Sequence, residues 1–292
     1  MDGLYILPFD HRSSFMKLVK AASPQNRKDI ARARGCKRLI YDAFRKSVAE
    51  GVPKSKAAVL VDEWLGRDIL KDARSKGFIT CVALEKSGQG EFNFDRKDWR
   101  KQVKQINPTY AKVLVRYNPE GSKKVNARQS ARLAELSSFL KTRKNKLLLE
   151  LLVPAAKKQL AKSMAAYDKK IRPYLMVAAI RELQEAGVNP DVWKIEGLDS
   201  VERMQKVADQ VKAGNPKSRI VILGRGESRE KAERWLKVGA KVNSAIGFAV
   251  GRTVFNKPIE QYNKGKISKA KAIMEISQMY TFFVKVWERA RG

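Results

Sequence analysis

The sequence predicts an α/β fold, a single (β/α)8 TIM barrel over residues 1–292, and three observations carry that expectation. Short β-rich apolar runs alternate with longer amphipathic segments, the pattern of parallel βα units. The runs number eight, as a closed barrel requires. A length of 292 residues is ordinary for that fold as one domain. An open doubly wound sheet would alternate in the same way, but no GxGxxG follows the first run to support it.

The predicted strands are Leu4 to Phe9, Ala57 to Asp62, Phe78 to Leu84, Tyr110 to Tyr117, Lys146 to Val153, Asp191 to Glu196, Arg219 to Gly224 and Ser244 to Gly251. Apolar residues spaced i, i+3, i+4 predict helices over Cys36 to Glu50, Asn126 to Arg143, Pro173 to Ala186, Val201 to Val211 and Arg229 to Leu236. Pro173 suits a first helical turn and Gly187 suits a helix end. A last helix, Ser268 to Arg289, closes the outer ring. Most of its apolar residues (Met274, Ile276, Met279, Phe282, Phe283, Trp287) are expected to pack on the barrel, and a surplus apolar face there would make a homo-oligomer of two or more copies.

Composition narrows the function. Hydrophobic residues make up 43% of the chain, enough for a full core. The N-terminus has no signal-peptide pattern, and no apolar run approaches the length of a membrane span, so no membrane partner is expected. Cys36 and Cys81 are far apart and lack CxxC spacing, which argues against a disulfide framework or zinc site and fits a reducing cytoplasm. With one histidine, His11, a multi-histidine metal site within the chain is excluded, and no cofactor is implied. The net charge is +31, from 61 Lys and Arg against 30 Asp and Glu. Such a field attracts phosphorylated metabolites and polyanions alike.

Polar residues inside the strands locate the chemistry. Residues two apart share a face, and barrel enzymes work at the C-terminal strand ends. Lys194 and Glu196 therefore share one face of the sixth strand, with Trp193 and Ile195 on the other. Lys112 and Arg116 share a face of the fourth, and Glu150 interrupts the apolar run LLLELLV of the fifth. One reading is a structural ion network, since buried charges must be paired. The other is nucleophilic. A lysine crowded by cations and partly desolvated has a lowered pKa and so some free amine, and a nearby carboxylate such as Glu150 can move protons. The loops after the seventh and eighth strands read GRGES (Gly224, Arg225, Gly226) and VGRTVF (Gly251, Arg252), where barrels often hold a substrate phosphate. Cys81 reads as a small core residue, and Trp193 as outer-face packing. His11 is open between proton transfer and a structural role.

The stretches LPFDHRSSF, VDEWLG, LEKSGQ, VLVRYNPEG, LELLVP, RPYLMVAAIRELQEAGVNPDVWKIEG, ILGRG and GFAVGRTVF run through nearly the whole chain. In them the sequence resembles the class I tagatose-1,6-bisphosphate aldolase-like barrels. It is most similar to the C-terminal domain (DUF2090 type) of bacterial 5-dehydro-2-deoxygluconokinase fusion proteins of myo-inositol catabolism. The resemblance implies a Schiff-base aldolase with Lys194 as the amine and Glu150 as acid/base. It further implies a pocket with Asp10, Arg12, Asp62, Lys86 and Lys112, and phosphate contacts at Gly224, Arg225, Gly251 and Arg252. The implied substrate is 2-deoxy-5-keto-gluconate 6-phosphate, cleaved to dihydroxyacetone phosphate and malonate semialdehyde, with a tagatose-type ketose bisphosphate as the alternative. The kinase domain of those relatives is not in this sequence, so coupling to phosphorylation would need a separate protein. The family is not this basic, which leaves a polyanion-binding or surface-engineered barrel as a reading of another class.

Overall fold

The computed structural model describes residues 3–161 and 163–292. Its strands are β1 (Leu4–Pro8), β2 (Ala57–Asp62), β3 (Ile79–Ala83), β4 (Tyr110–Arg116), β5 (Lys146–Leu152), β6 (Val192–Glu196), β7 (Arg219–Leu223) and β8 (Ala245–Ala249). Each pairs in parallel with the next, and β8 returns to β1, closing the predicted barrel.

The helices are α1 (Ser13–Leu18), α2 (Arg27–Ala49), α3 (Glu63–Ser75), α4 (Trp99–Ile106), α5 (Lys123–Lys141), α6 (Met164–Ala166), α7 (Arg172–Glu185), α8 (Val201–Gly214), α9 (Arg229–Ala240), α10 (Arg252–Asn263) and α11 (Lys269–Arg291). α2 begins nine residues before the expected Cys36. Its first turns are mostly charged, so apolar spacing does not announce them. The start is instead marked by Asn26, whose side chain accepts from the N–H groups of Lys28 and Asp29. α3 starts without any loop, because Asp62 is both the last residue of β2 and the N-cap, accepting from Leu65 N at 2.8 Å. Pro173 lies in the first turn of α7, and Gly187 takes a positive φ just past its end, as expected.

The core has two layers. Ala57, Val59, Trp193, Ile195 and their outward-facing equivalents join the helices in one large cluster. Inside the barrel Leu4, Ile6, Ala58, Leu60, Cys81, Tyr110, Leu148, Val192, Val221 and Ile246 form a second. The inner cluster fills the barrel below the level of Lys112, Glu150 and Lys194, which share its face of the strands. That alternation leaves the inward charges of β4, β5 and β6 at the C-terminal mouth. The chain's last helix, α11, lies against α2 and α9 with Ile276, Phe283 and Trp287 buried and Met274 exposed.

Closure relies on one glycine. A Cβ on Gly247 would lie 2.0 Å from the carbonyl oxygen of Leu4, in the β1–β8 seam where backbone faces backbone. Gly247→Ala is expected to cost about 3 kcal/mol, because the seam cannot relax by moving a flexible side chain. A midpoint of urea unfolding close to that of the parent would show the seam to be compliant.

Candidate active site

The mouth of the barrel holds a cavity of about 420 Å³. Lys112 lies at its centre. β5 pairs with β6 in a register that sets Glu150 beside Lys194. In β4, the inward alternation places Lys112 one level below Glu150. Lys112 Nζ contacts Asp10 at 2.8 Å, Glu85 at 2.6 Å and Glu150 at 3.0 Å. The same Glu150 oxygen, Oε2, receives Lys194 Nζ at 2.8 Å. All five groups are at least nine-tenths buried.

These contacts set the protonation states. Burial disfavours the Lys112 ammonium, but Asp10, Glu150 and Glu85 outweigh it and hold its pKa well above the ordinary lysine range. Burial would raise the Glu150 carboxyl, yet Lys112 and Lys194 bring it down to about 2. Asp10 is likewise disfavoured by burial and pulled far below the usual carboxylate range, first by Lys112. At Glu85 burial prevails over Lys112, with Asp10 adding to the upward shift, so its pKa is raised. Its Oε2 is buried without a partner. His11 also faces the cavity, packed edge-on to Phe255 at 6.3 Å, with Nδ1 buried and unbonded. Burial lowers its pKa to about 4 against the pull of Asp10, with Arg252 helping. The imidazole is neutral at pH 7.

Around this centre the cavity is lined by Arg12, Lys86, Arg116, Arg225 and Arg252. Arg12 is buried. It donates to the carbonyl oxygen of Glu85 and pairs with Asp95 at 3.2 Å, which ties the loop after β3 to the end of β1. Lys86 and Arg116 are exposed at the rim, the latter donating to Gln89 O at 2.8 Å. Arg225 is held by Glu196 at 3.0 Å and Asp168 at 3.1 Å. Arg252 is exposed and donates to the Arg225 carbonyl at 2.6 Å.

Asp62, Gly224, Gly226 and Gly251 do not line the cavity. Asp62 is turned to the helices: one oxygen is bound by Lys37 of α2 and the other caps α3. Glu63, the next residue, is likewise bound away from the cavity, by Arg96 and Gln102. The glycines let the loops approach. A Cβ on Gly226 would meet the Arg252 guanidinium at 2.6 Å, and one on Gly251 would meet Pro8 O at 2.1 Å. Sequence reasoning missed Glu85 and Asp168. Glu85 stands next to Lys86 in LEKSG, and the signal was the need of a buried Lys112 for more than one counter-charge. Asp168 lies in an irregular π turn, Tyr167–Ile171, that no periodicity marks.

Comparison with known proteins comes to bear on this geometry. A family model described as "Uncharacterized protein conserved in bacteria (DUF2090)" matches residues 1–291. The chain belongs to that family. No curated protein matches its sequence. Among solved structures, a fructose-bisphosphate aldolase from Plasmodium falciparum, in complex with TRAP and a small-molecule inhibitor, superposes with a TM-score of 0.68 at 12% identity. The match covers 100% of this chain and 92% of that one. A Schiff-base-forming fructose-1,6-bisphosphate aldolase gives 0.58 at 15% identity, covering 90% and 92%. Cgl0159 from Corynebacterium glutamicum gives 0.56 at 15%, covering 95% and 85%. At these identities the likeness establishes the shared barrel fold.

Two outcomes follow for the DUF2090 chain. Its only imidazole is expected to titrate near pH 4, read from the histidine ring protons by NMR; a midpoint near 6.5 would place His11 in water. Because the unfolded histidine takes its proton first, this group's share of stability is intact above pH 6.5 and declines as the pH falls toward 4. Lys112→Met is expected to destabilise by about 3 kcal/mol or more, since it strands buried carboxylates. Thermal unfolding indistinguishable from the parent would show the carboxylates neutralise freely.

Proposed function

We propose that the chain is an aldehyde-lyase of the Schiff-base type, with Lys194 as the amine that attacks a ketone. The observation that carries this is the contact of Lys194 Nζ with Glu150 Oε2 at 2.8 Å, in a cavity that holds a second lysine, Lys112, paired to the same carboxylate oxygen. The structural neighbours that are aldolases support the reading without fixing it.

In this reading Lys194 adds to the substrate ketone, and loss of water leaves an iminium. Glu150 takes the proton from the incoming ammonium and returns it to the carbinolamine oxygen, which leaves as water. The iminium then accepts the electron pair released when the carbon–carbon bond one atom removed from it breaks. Glu150, ionised again once water has left, takes the proton of the hydroxyl that becomes the aldehyde. Protonation of the enamine, followed by hydrolysis, frees the second product and the Lys194 amine. Lys112 keeps Glu150 ionised in the resting site, ready to accept the ammonium proton, and neutral His11 offers a hydrogen-bonding nitrogen to a substrate hydroxyl. Arg252 and the N-terminus of α10 receive a phosphate at the β7–β8 side of the mouth, and Arg225 holds the loop that presents them. The substrate we propose is a phosphorylated keto-sugar acid, 2-deoxy-5-keto-gluconate 6-phosphate, yielding dihydroxyacetone phosphate and malonate semialdehyde.

Borohydride reduction in the presence of dihydroxyacetone phosphate, followed by peptide mass spectrometry, tests the assignment. A reduced adduct is expected on Lys194 and none in Lys194→Ala; a protein with no adduct at any lysine is not this kind of aldolase. Glu150→Gln is expected to slow turnover by roughly 10²- to 10⁴-fold while the adduct still forms, the signature of lost proton transfer with the amine retained.

A further inference from the structure

The barrel's opposite end carries a second candidate site. A cavity of about 280 Å³ opens there between the α5–β5 connection and the starts of β6 and β7. Lys141, Arg143, Lys144 and Lys146 line it, with the polar side chains of Ser137, Asn145, Asn189 and Asn215. Lys141, Lys144 and Lys146 are exposed, and none has an ion-pair partner among the described residues. The bland account of basic residues at a helix end is compensation of the helix dipole, and it suits Lys141 in the last turn of α5. It does not extend to Arg143, Lys144 and Lys146, which lie beyond that turn. The loop that presents them is rigid: Asn145 is buried, donates to Asn107 and to Pro108 O at 2.6 Å, and accepts from Arg143. One carboxylate, Asp191, lies in the cavity wall, but it accepts from Leu147 N at 2.8 Å and so braces β5.

The cations continue past the cavity. Lys217, exposed in the turn before β7, donates its backbone N–H to the side chain of Asn215 in the cavity wall at 2.9 Å, so it stands at the cavity's edge. An open row of flexible lysines with side-chain amides between them suits a succession of phosphates better than one enclosed anion, and such contacts position without reading sequence. We propose that this face docks the phosphate backbone of double-stranded nucleic acid. The row accounts for part of the +31 charge that the mouth of the barrel leaves unused.

The test is binding of a fluorescein-labelled mixed-sequence DNA duplex, followed by anisotropy over a range of salt. Lys141→Gln/Lys144→Gln/Lys146→Gln is expected to weaken binding by about tenfold or more and to lower the log–log salt slope by about 3, one per lost phosphate contact. Lys123→Gln/Lys124→Gln/Lys157→Gln removes the same charge at the other end of the barrel and is expected to weaken it less than about threefold. Equal weakening by both sets would reduce the effect to net charge and overturn the assignment, as would failure of the parent protein to bind at physiological salt. Tighter binding of polyglutamate than of duplex at equal charge would move the face to an acidic protein partner. Far-UV circular dichroism, unchanged in both variants, keeps these outcomes separate from misfolding.

Discussion

Everything at the mouth of the barrel is arranged around the Lys112 ammonium. An isolated buried ion is costly, by several kcal/mol even after relaxation, and a buried carboxylate no less so. Lys112 resolves both by meeting Asp10, Glu85 and Glu150 from three other strands or strand ends. Three carboxylates against one ammonium would be over-neutralised, and the balance is restored in two ways. Lys194 supplies a second cation to Glu150, and buried Arg12 adds its positive charge near Glu85, whose pKa burial nevertheless raises. For the proposed chemistry the sharing of Glu150 is the useful part. Once Glu150 has returned the proton it took from Lys194, it still has a counter-ion in Lys112, so no buried carboxylate is left unpaired while Lys194 is engaged with the substrate.

The cluster can exist only because the apolar plug beneath it is complete. Leu148 and Val192 lie one inward step below Glu150 and Lys194, and Tyr110 one below Lys112. They seal the barrel against water from the far end, which keeps the local dielectric low where the ion pairs need it. The strand registers that build the plug are the same ones that align Glu150 with Lys194, so packing and chemistry are specified by a single set of backbone pairings.

Strand parity and turn chemistry made much of this legible in advance. The inward lysines, Glu150 and the outward Trp193 follow from period-two alternation alone, and all eight strands could be read from apolar runs bounded by helices. Whether Asp62 enters the cavity could not be read that way. Its parity is inward, but β2 runs straight into α3, and the terminal carboxylate is taken up as a cap with Lys37 on its other oxygen. Glu85 escaped for a related reason: it sits just past the end of β3, where alternation no longer says which way a side chain points. The first turns of α2 were hidden by their charge. Long-range pairings such as Asp168 with Arg225 have no local signature at all.

That last pairing changes how a phosphate would be held. Arg225 is a non-glycine residue at φ 55°, a conformation that costs on the order of 1 kcal/mol and persists only where its surroundings enforce it. Here Glu196 and Asp168 fix the guanidinium, and burial is outweighed by those carboxylates so that its pKa rises. A phosphate approaching Arg225 therefore meets a cation already paired with three carboxylates, Glu196, Asp168 and, at 3.5 Å, Glu227. Arg252 has no carboxylate within ion-pair distance among the described residues, and it is exposed beside the first turn of α10. The two arginines look equivalent in the sequence, each following a glycine after a strand. In the folded chain Arg225 shapes the loop, holding its backbone in place and presenting its carbonyl to Arg252, and Arg252 has the charge left to give.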